Sequence, residues 1–289
     1  MSFGLAAVAA ALPVGSVPAH RTVLVTGATE GLGLAAAQQL SHAGHHVLVH
    51  GRSAAKVEGV VAKIESAGGR ASGYVADLSR MHEVRGLGEA VRTAWPTLDG
   101  LLNNAGSFDG DYSGQRVVTE EGHEYTLAVN VLAPFLLTAL LLPSLRASDR
   151  ARVVISSSVS MGAANYLGNL QLEQGYDSHT AYSLSKLCDA MLSQELHVRL
   201  GDPPRLTFNT MDPTSQVGMG ADTKMLRAGW GNWGAPPSEA TISADMMMGA
   251  EWEGKSGTGF ASRREVQNAA LRKQLWDECV ALTKAEYPC

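Results

Sequence analysis

From Thr22 onward, short runs of β-branched and aliphatic residues alternate with longer stretches in which apolar positions recur at helical spacing. Short apolar runs bounded by turn-forming residues predict strands over Thr22–Thr26, His46–His50, Ala71–Val75, Leu98–Asn103, Arg152–Ser157 and Leu206–Met211. Several of these runs are apolar throughout, as in strands covered on both faces. Helical periodicity predicts helices over Gly31–Ala43, Ala54–Ala67, Met81–Trp95, Glu120–Leu145 and Asp177–Leu200. The fourth should break near Pro134, because proline has no N–H to donate. Strands and helices in alternation predict a single-domain α/β fold: a doubly wound parallel sheet of about seven strands, with helices on both faces.

The pattern weakens after Met211. Thr214–Pro237 holds five Gly, two Pro and two Trp without a sustained period, and predicts a loop region over a substrate site. Ser238–Gly249 predicts a helix, Gly257–Ala261 a final strand, and Glu265–Ala285 a terminal helix with Leu271, Leu275 and Leu282 on one face. Residues 1–20 stand apart. Leu5 to Val14 is an apolar, alanine-rich run with no Lys or Arg before it, well short of the roughly 20 residues that span a bilayer. It reads as an extension or a targeting remnant, with no transmembrane segment expected elsewhere. Residues 21–289 then form one domain, with 213–250 as its substrate lid.

A chain of 289 residues with 45% hydrophobic content can bury a substantial core. Its formal net charge of −5 offers no electrostatic footprint for nucleic acid. The three cysteines, Cys188, Cys279 and Cys289, are too few for a disulfide framework and lack zinc-ligand spacing. No metal is expected, and a reducing compartment is, either the cytoplasm or an organelle interior.

The candidate chemistry begins at Thr26-Gly27-Ala28-Thr29-Glu30-Gly31-Leu32-Gly33, which joins the first strand to the first helix. Glycines there let a dinucleotide pyrophosphate approach the backbone, and the helix N-terminus offers free N–H groups. The second strand ends in Val49-His50-Gly51-Arg52, with no acid to bind ribose hydroxyls; Arg52 is either a phosphate contact or a solvated charge. Asp77, beside Leu78, follows the third strand and would also serve as a helix cap. Asn103-Asn104-Ala105-Gly106 ends the fourth strand.

Farther on, Tyr182 and Lys186 are four residues apart on a helix and share a face. A phenol titrates near 10, so a Tyr working near neutrality must be held about three pH units lower, on the order of 4 kcal/mol. A neighbouring ammonium pushes in that direction. Ser158, with Ser157 as the other possibility, ends the fifth strand, and Asn130 interrupts an apolar helical run.

Taken in order, TGATEGLG, NNAG, Asn130, Ser158 and YSLSK resemble the short-chain dehydrogenase/reductase family, most closely its retinol-dehydrogenase-like branch, and imply a Rossmann fold. The branch is suggested by Thr119-Glu120-Glu121-Gly122, Phe135-Leu136-Leu137-Thr138 and the long interval from Ser158 to Tyr182. The resemblance implies an NADP(H)-dependent oxidoreductase interconverting a carbonyl and an alcohol through an Asn130-Ser158-Tyr182-Lys186 tetrad. Ser158 would hold the substrate oxygen, Tyr182 move the proton, Lys186 lower the phenol and bind ribose, and Asn130 support a water relay. Gly27, Thr29, Glu30, Gly31, Leu32 and Gly33 would hold the pyrophosphate, Arg52 the 2′-phosphate, and Asp77 and Leu78 the adenine. Asn104, Ala105 and Gly106 would flank the nicotinamide ribose, and Pro213 and Thr214 the carboxamide, with Tyr182 and Lys186 also touching the cofactor. A homo-oligomer is implied as well.

Two departures keep other functions open. The family usually reads PG after the sixth strand, whereas Asp212-Pro213-Thr214 lacks the glycine, which raises the reading of a cofactor-binding subunit without turnover. Cys188 resembles a cysteine of the related protochlorophyllide reductases, although a small buried hydrophobe is the better reading of it. Met219, Met225, Leu226, Trp230 and Trp233 suit an apolar substrate pocket, and equally core packing or a dimer surface.

Overall fold

The computed structural model describes residues 20–108, 114–218, 220–231 and 233–287. A parallel sheet of order β3-β2-β1-β4-β5-β6 runs through it. The strands are β1 (Thr22–Val25), β2 (His46–Gly51), β3 (Arg70–Val75), β4 (Gly100–Asn103), β5 (Ala151–Ser156) and β6 (Leu206–Met211). Every residue of β4, β5 and β6 is buried, as in strands covered on both faces, and the polar side chains of Arg152 and Asn209 are hydrogen-bonded. Strand order reverses between β1 and β4, opening a crevice at the C-terminal ends of the strands.

Helices α1 (Gly31–His42) and α2 (Ala54–Ser66) cover one face, where Ala36, Ala37, Leu40, Val57 and Ile64 meet the sheet. The other face carries α3 (Met81–Ala94), the composite helix α4 (Tyr125–Leu127) and α5 (Ala133–Arg146), and α6 (Ser178–Leu200). Then come α7 (Lys224–Trp230), α8 (Ile242–Met248) on the first face, and α9 (Arg264–Gln267) and α10 (Ala269–Thr283) on the second. The stretch Tyr125–Arg146 is long and apolar enough to cross a membrane, with a mean hydropathy of 2.0, but 89% of its most apolar window is buried within the protein. It is the central helix of the larger core.

The architecture differs from expectation in five places, each with a local cause. The fourth helix starts at Tyr125, not Glu120, because the Glu124 carboxylate caps it, accepting from Thr126 N (2.9 Å) and Leu127 N (2.7 Å). Its break is a π-turn at Ala128–Leu132; Pro134 follows in the first turn of α5, where a missing N–H costs nothing. The sheet has six strands, not seven. Gly257–Ala261 does lie along β6, with Gly257 N donating to Phe208 O at 2.8 Å and Thr210 N to Thr258 O at 3.1 Å. Positive φ at Gly257, Gly259 and Phe260 prevents it from extending as a strand.

The terminal helix is two pieces, because the Asn268 side chain caps α10 by accepting from Ala270 N and Leu271 N at 3.1 Å. Within the stretch read as loop, α7 forms behind a Thr223 cap on Leu226 N. The helix expected over Ser238–Gly249 is shorter, with a 3₁₀ turn at Pro237–Glu239 before α8.

Candidate active site

The turn after β1 puts Gly27 and Gly31 in the left-handed region, at φ 65° and 56°. A Cβ on Gly33 would stand 2.3 Å from Gly27 O and 2.4 Å from Asn104 Nδ2, so the glycine turn and the end of β4 interlock. Thr26 ties them further. Its Oγ1 accepts from Asn104 N and Ala105 N, each at 3.0 Å, and its carbonyl accepts from Asn104 Nδ2. Buried His50, unnoticed in the sequence, braces the turn from β2: Nδ1 accepts from Gly27 N at 3.3 Å and Nε2 donates to Ala76 O at 3.1 Å. Desolvation holds its pKa down at about 4, so the ring is neutral at pH 7. Glu30 makes no cap bond to α1, because its Oε2 bonds Lys56 (3.1 Å) and Lys224 (2.8 Å), both missed by the sequence reading. Backbone without Cβ atoms and an uncapped helix N-terminus suit a dinucleotide pyrophosphate.

At the end of β2, a Cβ on Gly51 would stand 2.5 Å from Thr29 Cγ2, so a larger residue there would displace the turn. Arg52 is exposed and bonds the Tyr125 hydroxyl at 3.0 Å. Asp77 does not cap α3. Its Oδ1 accepts from Ser79 N at 3.0 Å in an Asx turn, and Glu121 caps α3 instead, accepting from Met81 N and His82 N. Leu78 beside it is buried.

The catalytic candidates converge at the C-terminal ends of β4 and β5. Asp177 caps α6 by accepting from His179 N (2.8 Å) and Thr180 N (3.4 Å), which places Tyr182 in the next turn and Lys186 one turn later. Ser157 Oγ donates to Lys186 O at 2.6 Å and so ties α6 to β5, leaving Ser158 as the serine at the phenol. Lys186 Nζ lies 5.8 Å from the Tyr182 ring centroid and donates to Ser156 O (2.8 Å) and Asp189 Oδ2 (2.9 Å). The Asn130 side chain is fully engaged: Oδ1 accepts from Ser107 N, and Nδ2 donates to Ser107 O and Ser185 Oγ. A Cβ on Gly106 would be 3.6 Å from Asn130 Oδ1 and 3.9 Å from Lys186 Nζ, so the fourth motif also meets the tetrad.

Lys186 acts on the phenol in the expected direction, against burial. Burial pushes the Tyr182 phenol above its ordinary value; Lys186 and Ser158 pull it down, while Asp212 and Asp189 push it up, and the balance is a raised pKa. Burial alone would lower the Lys186 ammonium, but the Asp189 carboxylate and Tyr182 outweigh burial and raise it. Lys186 therefore does not by itself bring the phenol toward neutrality, because burial outweighs its pull, with Asp212 and then Asp189 adding to burial.

Aromatic rings cover the phenol. Trp230 of α7 lies edge-on to Tyr182 (centroids 5.3 Å) and packs on Phe108 (5.2 Å) and His179 (5.3 Å). Met225 reaches Gly106, its Cε 3.4 Å from where a Cβ would be. Leu226 and Trp233 instead pack about Gly220 and Gly234, away from Tyr182, and Met219 lies outside the described residues. Phe108 carried no signal in the sequence, since a lone aromatic on a loop has no spacing to betray it, and His179 stands in the first turn of α6, where nothing in the pattern points to the site.

Residues 21–217 match the family model described as short chain dehydrogenase. The chain belongs to the short-chain dehydrogenase family. Within it, the chain falls in the retinol-dehydrogenase-like branch. It is 31% identical to mouse (Mus musculus) retinol dehydrogenase 14, over 89% of this chain and 84% of the relative. Identity to Mus musculus polyprenol dehydrogenase is 32%, over 92% and 84%. Among solved structures, a short chain dehydrogenase from Shigella flexneri complexed with NADP superposes with a TM-score of 0.64 at 27% identity, covering 82% of this chain and 94% of that one.

In this short-chain dehydrogenase, the segment after β6 is held without glycine. Thr214 is not among the residues at positive φ. Buried Asp212 holds the turn at Pro213, its Oδ1 accepting from Thr214 N (2.7 Å) and Thr214 Oγ1 (2.6 Å), and its Oδ2 from Val159 N (2.7 Å) and Ser158 Oγ (3.5 Å). The missing glycine thus introduces no backbone strain. Cys188 is fully buried and burial pushes its thiol well up, so it packs as a small hydrophobe.

Proposed function

We propose that this oxidoreductase is NADP(H)-dependent and interconverts a carbonyl and an alcohol on an apolar substrate, with Tyr182 as proton donor and acceptor. The observation that carries the reading is the buried Tyr182 phenol, with Ser158 at its oxygen, Lys186 beneath and Trp230 and Phe108 above. Ser158 orients the substrate oxygen by hydrogen bonding, and Tyr182 transfers its proton to that oxygen in reduction. Lys186 keeps one N–H for ribose after its bonds to Ser156 and Asp189. When bound, the nicotinamide supplies or accepts the hydride, and its oxidised form adds positive charge beside the phenol. Gly27, Thr29, Gly31, Leu32 and Gly33 hold the pyrophosphate, Asp77 and Leu78 the adenine, Asn104, Ala105 and Gly106 the nicotinamide ribose, and Pro213 and Thr214 the carboxamide.

Phosphate preference rests on Arg52 and Lys56, with Glu30 paired to two lysines so that its charge is offset. The NADP-bound Shigella neighbour supports this choice. Two relatives are named for retinol and polyprenol, both apolar alcohols, in keeping with the aromatic cover. Of residues 213–250, α7 with Met225 and Trp230 acts as the lid, whereas α8 packs against α1 with Met246 and Met247 in the core. The free, buried thiols Cys188 and Cys279 suit a reducing compartment.

The test is NADPH oxidation against a panel of apolar aldehydes and ketones. Turnover should be lost in Tyr182→Phe while cofactor binding is kept; binding without Tyr-dependent turnover on any substrate would mean a non-catalytic cofactor protein. For the cofactor, the NADPH-to-NADH affinity ratio should fall in Arg52→Ala. An unchanged ratio removes Arg52 from the phosphate site.

A further inference from the structure

Asp189 follows Lys186 by three residues on α6, and its Oδ2 lies 2.9 Å from Nζ. The two side chains are 2% and 4% exposed. Ionised groups at such depth each give up several kcal/mol of hydration, and a core-facing helix position ordinarily holds an apolar residue. Lys186 is the one ionic partner of Asp189 among the described residues. Burial pushes the Asp189 carboxyl up to about 7 against the pull of Lys186; its charge also bears on Cys188 and Cys279, but its direct contact is with the Lys186 ammonium.

That contact has two effects. The ammonium has three N–H donors. Ser156 O and Asp189 Oδ2 take two of them, which fixes the direction of the third and keeps Nζ near Gly106 and Asn130. The carboxylate also offsets the positive charge that would otherwise draw the phenol toward phenolate.

We propose that Asp189 is a positioning residue for the Tyr182–Lys186 pair: it anchors the buried ammonium and offsets part of its charge, reinforcing the burial that keeps Tyr182 the phenol that donates a proton in carbonyl reduction and moving alcohol oxidation to higher pH. This rests on the reading of Tyr182 and Lys186 given above. The other groups facing the pair do not replace Asp189. Asp212, after β6, raises the phenol more than Asp189 does, but Asp189 acts more strongly on Lys186 and is the carboxylate bonded to it. Cys188 on α6 and Cys279 on α10 are buried thiols, raised by burial, and burial also raises the Glu278 carboxyl on α10. Ser158 and Asn130 carry no charge. Lys186 is the cation of the cluster, and Asp189 touches it directly.

The experiment compares pH profiles of kcat/KM in both directions for the full chain and for Asp189→Asn, Asp189→Glu and Tyr182→Phe, with saturating NADP(H). In Asp189→Asn, the acid limb of oxidation and the basic limb of reduction should both move down by about one pH unit or more. Asp189→Glu should keep the wild-type limbs. Unmoved limbs in Asp189→Asn, with Tyr182→Phe inactive, overturn the role of Asp189 and leave that of Tyr182 standing. Full activity in Tyr182→Phe overturns both. A second measurement needs no Asp189 variant: the tyrosinate absorbance difference between wild type and Tyr182→Phe in the free protein. Ionisation of Tyr182 below about pH 9, under its ordinary value near 10, would overturn the proposal.

Discussion

Trp230 stands edge-on to Tyr182, with ring centroids 5.3 Å apart and planes at 69°. The contact joins α7 to the proposed proton donor and leaves an apolar wall beside it. Trp230→Ala should lower kcat/KM for long apolar carbonyls about tenfold, the worth of an aromatic contact plus its buried area. Cofactor affinity should change little. Steady-state kinetics with a long apolar and a small polar carbonyl would check this; an equal loss on both would show that the ring does not set preference.

Adjacent serines divide two tasks. Ser157→Ala removes the bond to Lys186 O and should cost about 1 kcal/mol of stability, read as a lower urea midpoint. Ser158→Ala should instead lower kcat about a hundredfold, the usual loss of a donor to a developing oxyanion. Were the two effects reversed, Ser157 would be the substrate serine.

Gly33→Ala should abolish measurable NADPH binding, because the added methyl collides with Gly27 O and Asn104 Nδ2. Overpacking of this kind costs about 1–3 kcal/mol, so the variant should still fold. Cofactor fluorescence titration alongside a thermal melt separates the two effects, and tight NADPH binding in the variant would contradict the interlocked cradle.

His50 makes stability depend on pH. The unfolded ring takes a proton near 6.5 and the folded ring near 4, so between those values the unfolded chain binds more protons. The stabilisation is complete above about pH 6.5 and declines as pH falls to about 4, by roughly 3 kcal/mol. Urea midpoints of wild type and His50→Gln measured from pH 7.5 to 4.5 would check this. A slope that survives the substitution would locate the titration elsewhere.

The order of strands and helices was legible because each βαβ unit carries its own local pattern, and the phosphate turn, NNAG and Tyr182–Lys186 are short-range spacings. What escaped was what the fold itself assembles. His50 looked like one more strand residue, and Phe108, His179 and Trp230 meet only once α7 is folded onto the site. Asp189 stood in plain view at helical spacing from Lys186, yet its effect depends on burial, which spacing does not report. Gly257–Ala261 misled because its apolar content suits a strand, whereas Gly257, Gly259 and Phe260 take left-handed conformations that only the folded backbone reveals.

The aromatic cover has a consequence for how this protein could diversify. Trp230 and Met225 come from a stretch beyond residue 217, where the family match ends, whereas the cradle and the Tyr182–Lys186 pair lie inside it. Part of the proposed substrate cover thus lies outside the family match. Phe108 and His179, inside the match, complete the cover, and Lys224 ties 218–237 back to Glu30 of the cradle, so exchanging that stretch between relatives would alter preference only together with these contacts.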